Sequence, residues 1–158
     1  RKKIMAMHTW FECKIRYEKV MENGMQKKVT EPYLVDALSF TEAEARIIEE
    51  MTPFISGEFT VSDIKRANYS ELFPCEEDAA DRWFKCKLVF ITLDEKSGAE
   101  KKTSTQVLVQ AADLRDAVKK LDEGMKGTMA DYQIASVAET AIMDVYPYSA
   151  EPNDKPEV

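Results

Sequence analysis

A chain of 158 residues, 44% hydrophobic and 32% charged, is long enough to bury a core and falls within the size of one domain. Its formal charge of -7 opposes the general phosphate field by which proteins hold duplex DNA, and leaves room only for a local basic strip. No stretch approaches the ~18 apolar residues of a membrane span, and the odd set Cys13, Cys75 and Cys86 fits a reducing compartment, so a cytoplasmic protein with no membrane partner is expected.

In chain order, residues 1–7 place Arg1-Lys2-Lys3-Ile4 ahead of Met5 and Met7, and are read as a disordered stretch upstream of the natural start. From Trp10 to Tyr17 the pattern alternates with period two, setting Phe11, Cys13, Ile15 and Tyr17 on one face of a half-buried strand. Asn23-Gly24 supplies the positive-φ position of a tight reversal, and a second strand follows through Val29–Ala37. Ser39 and Glu42 have the spacing of a capping box, which starts a helix near Phe40 with Phe40, Ala43, Ile47, Ile48 and Met51 on its apolar face. Phe59, Val61, Ile64, Leu72, Phe73 and Pro74 then mark the closing strand, and Cys75–Asp81 reads as an acidic linking loop.

The second half runs the same course. Phe84, Cys86, Leu88 and Phe90 alternate along a strand, Ser97-Gly98 turns, and Thr103–Ala111 returns. Asp113 and Asp116 cap a helix from Leu114 with Ala117, Val118, Leu121 and Met125 on its apolar face and Gly124 as its terminator. Tyr132, Ile134, Val137, Val145, Tyr146 and Pro147 close it, and Ser149–Val158 reads as an acidic, proline-containing disordered tail. Laid over one another, Trp10-Phe11-Glu12-Cys13-Lys14 and Trp83-Phe84-Lys85-Cys86-Lys87 share Trp, Phe, Cys and Lys at matching places. The expectation is an α+β fold of two tandem ββαβ repeats, residues 8–74 and 81–148, packed about a pseudo-twofold axis as one compact domain spanning 8–148.

The strings WFECKIRYEK, KKVTEPYLVDALSFTEAEARI, FITLDEKSGAEKKT and MKGTMADYQIASVAETAIMDVYPY resemble an uncharacterised domain family of gut Bacteroides-type bacteria and their phages, over residues ~7–148. The resemblance implies a phage or mobile-element origin and carries no catalytic residues to transfer.

No catalytic constellation, metal-ligand cluster or cofactor motif stands out in the sequence, and no cofactor is expected. His8, the single histidine, lies at a strand edge with no second ligand at metal spacing. Cys13 and Cys86 alternate with core residues, where a thiol acts as a small hydrophobe, and Glu76, Glu77 and Asp78 disfavour a thiolate at Cys75. One duplicated feature points to binding. Trp10, Lys14 and Arg16, and again Trp83, Lys85 and Lys87, share the other face of the first strands, an aromatic and basic pairing suited to base stacking and backbone neutralisation. The expectation is a non-enzymatic accessory protein that binds single-stranded nucleic acid there. The opposing possibility is that both tryptophans, with Leu34 and Leu108, form a packing seam. A second function class is an interaction or inhibitory module, engaging a host or phage protein, whose acidic surface meets a basic partner.

Overall fold

The computed structural model describes residues 3–148, and the expected tail 149–158 lies outside the described residues. The fold is α+β, with two four-stranded sheets and two helices. Its elements are β1 (Thr9–Val20), β2 (Gln26–Ala37), α1 (Phe40–Met51), β3 (Phe59–Ala67), β4 (Glu71–Phe73), β5 (Arg82–Leu93), β6 (Glu100–Ala111), α2 (Leu114–Gly124), β7 (Asp131–Glu139) and β8 (Val145–Tyr146). They form two compact units: a first holding 6–67 and 142–148, and a second holding 3–5 and 68–141.

In the first unit the strand order is β3-β1-β2-β8, with β1 antiparallel to both β2 and β3. Gly24, at φ 81, makes the reversal between β1 and β2, in the left-handed region that glycine enters without strain. Phe11, Cys13, Ile15, Val35 and Ala37 form the helix-side face of the sheet and pack against Ala43, Ile47 and Met51 of α1. The helix begins where expected: Ser39 Oγ accepts from the Glu42 amide at 3.1 Å, and Glu42 Oε1 accepts from the Leu38 amide at 3.2 Å. Each reciprocal bond satisfies an amide that the first turn leaves without a partner. The fully buried part of the apolar stripe is narrower than the sequence suggests: Ala43, Ile47 and Met51 are wholly covered, Phe40 packs its ring edge-on against Phe11 at 4.9 Å while staying 45% exposed, and Ile48 is 41% exposed.

The second unit has the order β4-β6-β5-β7. Cys86, Leu88, Val107 and Val109 pack with Leu121 and Met125, and Phe84 packs with Ala111 and Ala117. Asp113 Oδ1 accepts from the Asp116 amide at 2.8 Å, and Asp116 Oδ2 accepts from the Ala112 amide at 2.9 Å. Leu114, expected on the apolar face, is 52% exposed at the first turn. Gly124 does not end α2 through a left-handed turn. It is the last residue of the helix, and a Cβ there would lie 2.9 Å from Cδ1 of Phe73, so its role is close packing. Both central strands carry a register irregularity, between Lys14 and Ile15 in β1 and between Lys87 and Leu88 in β5.

The closing strands differ from the sequence reading. Residues 59–74 do not form one strand: β3 ends at Ala67, and β4 instead pairs parallel with β6, Leu72 beside Leu108 and Phe73 beside Val109. Likewise β8 pairs parallel with β2, Val145 beside Leu34 and Tyr146 beside Val35. The boundaries 8–74 and 81–148 therefore do not coincide with the folded units. The physical reason is alternation: Phe73 drops into the α2 core while Leu72 covers the opposite face, which an added strand on β6 accomplishes.

Lys3–Met7, expected to be disordered, are tied down. Ile4 exchanges two backbone hydrogen bonds of 2.8 Å with Leu72, and Lys3 Nζ lies 3.6 Å from Glu71. The Met7 amide donates to the carboxylate of Asp36, as does that of His8 at 2.9 Å. Asp36 is 1% exposed, so these donors supply partners that a buried carboxylate requires.

Candidate binding groove

The face of β1 and β2 turned away from α1 carries the residues singled out for binding. Cross-strand register sets Trp10 opposite Asp36, Lys14 opposite Pro32 and Arg16 opposite Thr30. Trp10 and Trp83 are 1% and 3% exposed, so neither indole offers a ring face for stacking. This corrects the expectation of an open aromatic platform. Sequence reasoning did not separate the short parallel strands, which add Val145 beside Leu34 and Leu72 beside Leu108 on the tryptophan-bearing faces. Trp10 Nε1 is buried and has no hydrogen-bond partner among the described residues.

The cations are placed differently. Arg16, Lys85 and Lys87 are exposed and Lys14 is half-buried. Six residues separate Trp10 from Arg16, about 20 Å along an extended strand, so one face does not make one site. Lys87 lines a small polar pocket with Asn68, Ser104, Thr105 and Gln106, away from any exposed aromatic ring in that pocket.

A groove of about 1170 Å³ lies in the first unit, formed by the outer end of the β1–β2 hairpin and the loop between α1 and β3. It forms because β1 continues to pair with β2 as far as Val20, whereas its pairing with β3 stops at Tyr17 and Phe59. Continuing β3 backwards would set Glu58 opposite Glu18, a like-charge pair that an antiparallel sheet disfavours. Gly57, at φ 102, turns the chain away at that point. Arg16, Glu18, Val20, Gln26, Lys28 and Thr30 contribute the sheet side, and Phe54–Thr60 the loop side. Phe54 is 75% exposed and Val20 64%, and Met21 and Met25 at the hairpin tip are also exposed. In the row of Arg16, Thr30 stands on one side and Thr60 on the other.

Next to the groove, Glu31 gathers polar partners. Tyr17 donates its hydroxyl to Glu31 Oε1 at 2.7 Å, Tyr33 at 3.4 Å, and Lys19 Nζ lies 3.7 Å from Oε2. Burial, then the Glu31 carboxylate, pushes the Tyr17 hydroxyl up to about 12, and the same causes raise Tyr33. Both phenols therefore stay protonated as donors at neutral pH. In the second unit Lys120 is 8% exposed and reaches Asp116 at 2.8 Å and Glu77 at 3.0 Å. Burial alone would lower its pKa, but the hydrogen bonds that its ammonium donates to these carboxylates outweigh it and raise it. This is a tether between helix and loop.

Residues 9–148 match the family described as a domain of unknown function (DUF4494). The chain belongs to this family. No curated protein and no solved structure is found to match it. Within this DUF4494 chain, and among the described residues, no group of three or more His, Cys, Asp and Glu side chains is placed to hold a metal ion. No helix among them is long and apolar enough to cross a membrane.

Proposed function

We propose that this DUF4494 chain is a non-enzymatic protein-interaction module, an accessory protein of a phage or mobile element, that engages a partner polypeptide through the first-unit groove. The observation that carries the reading is the groove itself: a concave surface rimmed by exposed Phe54 and Val20, with charged and hydroxyl side chains on its floor. Apolar anchors beside a few oriented polar groups are what protein-binding surfaces require. The single-strand-binding reading loses its stacking contacts with the two indoles closed, and its cations Lys14, Arg16, Lys85 and Lys87 remain dispersed. We further read the two units as products of one duplication, supported by their shared element order and the matched register irregularities. A reducing cytoplasm is the proposed compartment, in keeping with three free thiols.

Panning the full chain against a displayed library of random peptides tests the function. Peptides are expected to be enriched and to bind at least about tenfold more weakly to Phe54→Glu, a loss of about 1.4 kcal/mol. The melting temperature should not change, since Phe54 is exposed. No enrichment, or enriched peptides indifferent to Phe54→Glu, would overturn the proposal.

A further inference from the structure

The floor of the groove has a definite charge order. In one row Thr60, Arg16 and Thr30 lie side by side across three strands, all exposed. In the next row Glu18 faces Lys28, and in the one beyond, Val20 faces Gln26. Lys19 is engaged by Glu31 at 3.7 Å, while Arg16 makes no ion pair among the described residues. The Glu18 row holds both signs, and Glu58 sits on the loop side. The Arg16 row alone combines a cation with two flanking hydroxyls and no carboxylate. A planar guanidinium with a hydroxyl on each side is suited to a carboxylate, which it can hold through two parallel hydrogen bonds. Val20 points from the same face as Arg16, four residues on, or roughly 13 Å along the strand. Phe54 lines the same groove.

Resting on the reading of the groove as a polypeptide contact, we propose that it selects an extended acidic segment of its partner. A carboxylate seats on the Thr60–Arg16–Thr30 row, and an apolar side chain four positions away seats against Val20 and Phe54. The net charge of -7, taken alone, favours a basic partner, but the side chains at the point of contact argue for one acid placed locally. They also argue against a polyphosphate strand. Glu18 and Glu58 lie within the groove and would oppose successive phosphates, whereas a single side-chain carboxylate meets only Arg16.

The probes are fluorescein-labelled five-residue synthetic peptides with aspartate and phenylalanine at the two ends, in both orders, and threonine and valine between. Controls replace aspartate by lysine, or bring the two end residues two positions apart. The full chain is expected to bind one of the two orders and neither control. Arg16→Gln should weaken that binding at least about tenfold and Thr30→Val several-fold, Arg16→Lys should restore part of it, and melting temperatures should stay unchanged. Should library-selected peptides bind in a Phe54-dependent manner but ignore Arg16→Gln, the acidic specificity is wrong and the interaction module stands. If neither the library nor the synthetic peptides bind, both fall. If a single-stranded oligonucleotide displaces the peptide in an Arg16-dependent manner, the occupant is nucleic acid and the proposal is overturned.

Discussion

Burial pushes the thiols of Cys13 and Cys86 up to about 12 from an ordinary 9.0, with the Glu12 and Asp63 charges adding to the effect at Cys13. Both are wholly buried on the helix-side faces of their sheets, as the alternation of Phe11, Cys13 and Ile15 foretold. A raised folded-state pKa on an acid means that the unfolded chain gives up its proton first. The associated stability is complete below about 9 and drains away as pH rises from about 9 towards about 12. Chemical unfolding followed by circular dichroism should show a falling midpoint across that window, and a flat profile would contradict it. At pH 8, a thiol reagent should modify one cysteine, Cys75, in the native protein and three after denaturation. Cys13→Ala should cost about 1–2 kcal/mol from lost packing. Rapid labelling of native Cys13 would place that strand outside the core.

Among the elements, α1 and α2 are the parts most fully legible in the sequence, because Ser39–Glu42 and Asp113–Asp116 write their own start signals. Ser39→Ala should remove about 1 kcal/mol of stability, checked by urea denaturation. The hairpins were legible from alternation and from Gly24 and Gly98. The short strands β4 and β8 were not, since two or three residues carry no periodicity and their partners are distant in sequence. The sequence also left open whether Trp10 and Trp83 were exposed rings or packed side chains, and their 1% and 3% exposure closes the rings. The groove itself depends on where β3 begins, which Gly57 and Glu58 settle but no motif announces. Gly124 illustrates the same limit, since its need for no side chain comes from Phe73 on β4. Gly124→Ala should therefore destabilise the fold clearly, and Phe73→Leu in the same chain should recover part of the loss, a coupling of about 0.5–3 kcal/mol in a double-mutant cycle. Additive effects would separate the two residues.

For the molecule as a whole, each unit draws strands from both halves of the chain. β4 leaves the stretch that built the first sheet and joins β6, while β8 leaves the stretch that built the second and joins β2. A chain cut by protease at a site inserted in the Glu76–Ala79 loop should consequently remain one particle on gel filtration, held by both parallel pairings, and come apart only in denaturant. Separation of the fragments in native buffer would show that these pairings are too weak to matter.

That interleaving sets an order on synthesis. A ribosome delivers Ala6–Ala67 before the strand that finishes this sheet, Val145–Tyr146, which emerges only after the whole stretch Asn68–Ala141 of the other unit. The sheet whose three long strands emerge earlier is thus completed later. Until then β2 waits with an unfinished margin at Leu34 and Val35, and nascent chains stalled before Asp144 should be the ones that chaperones hold.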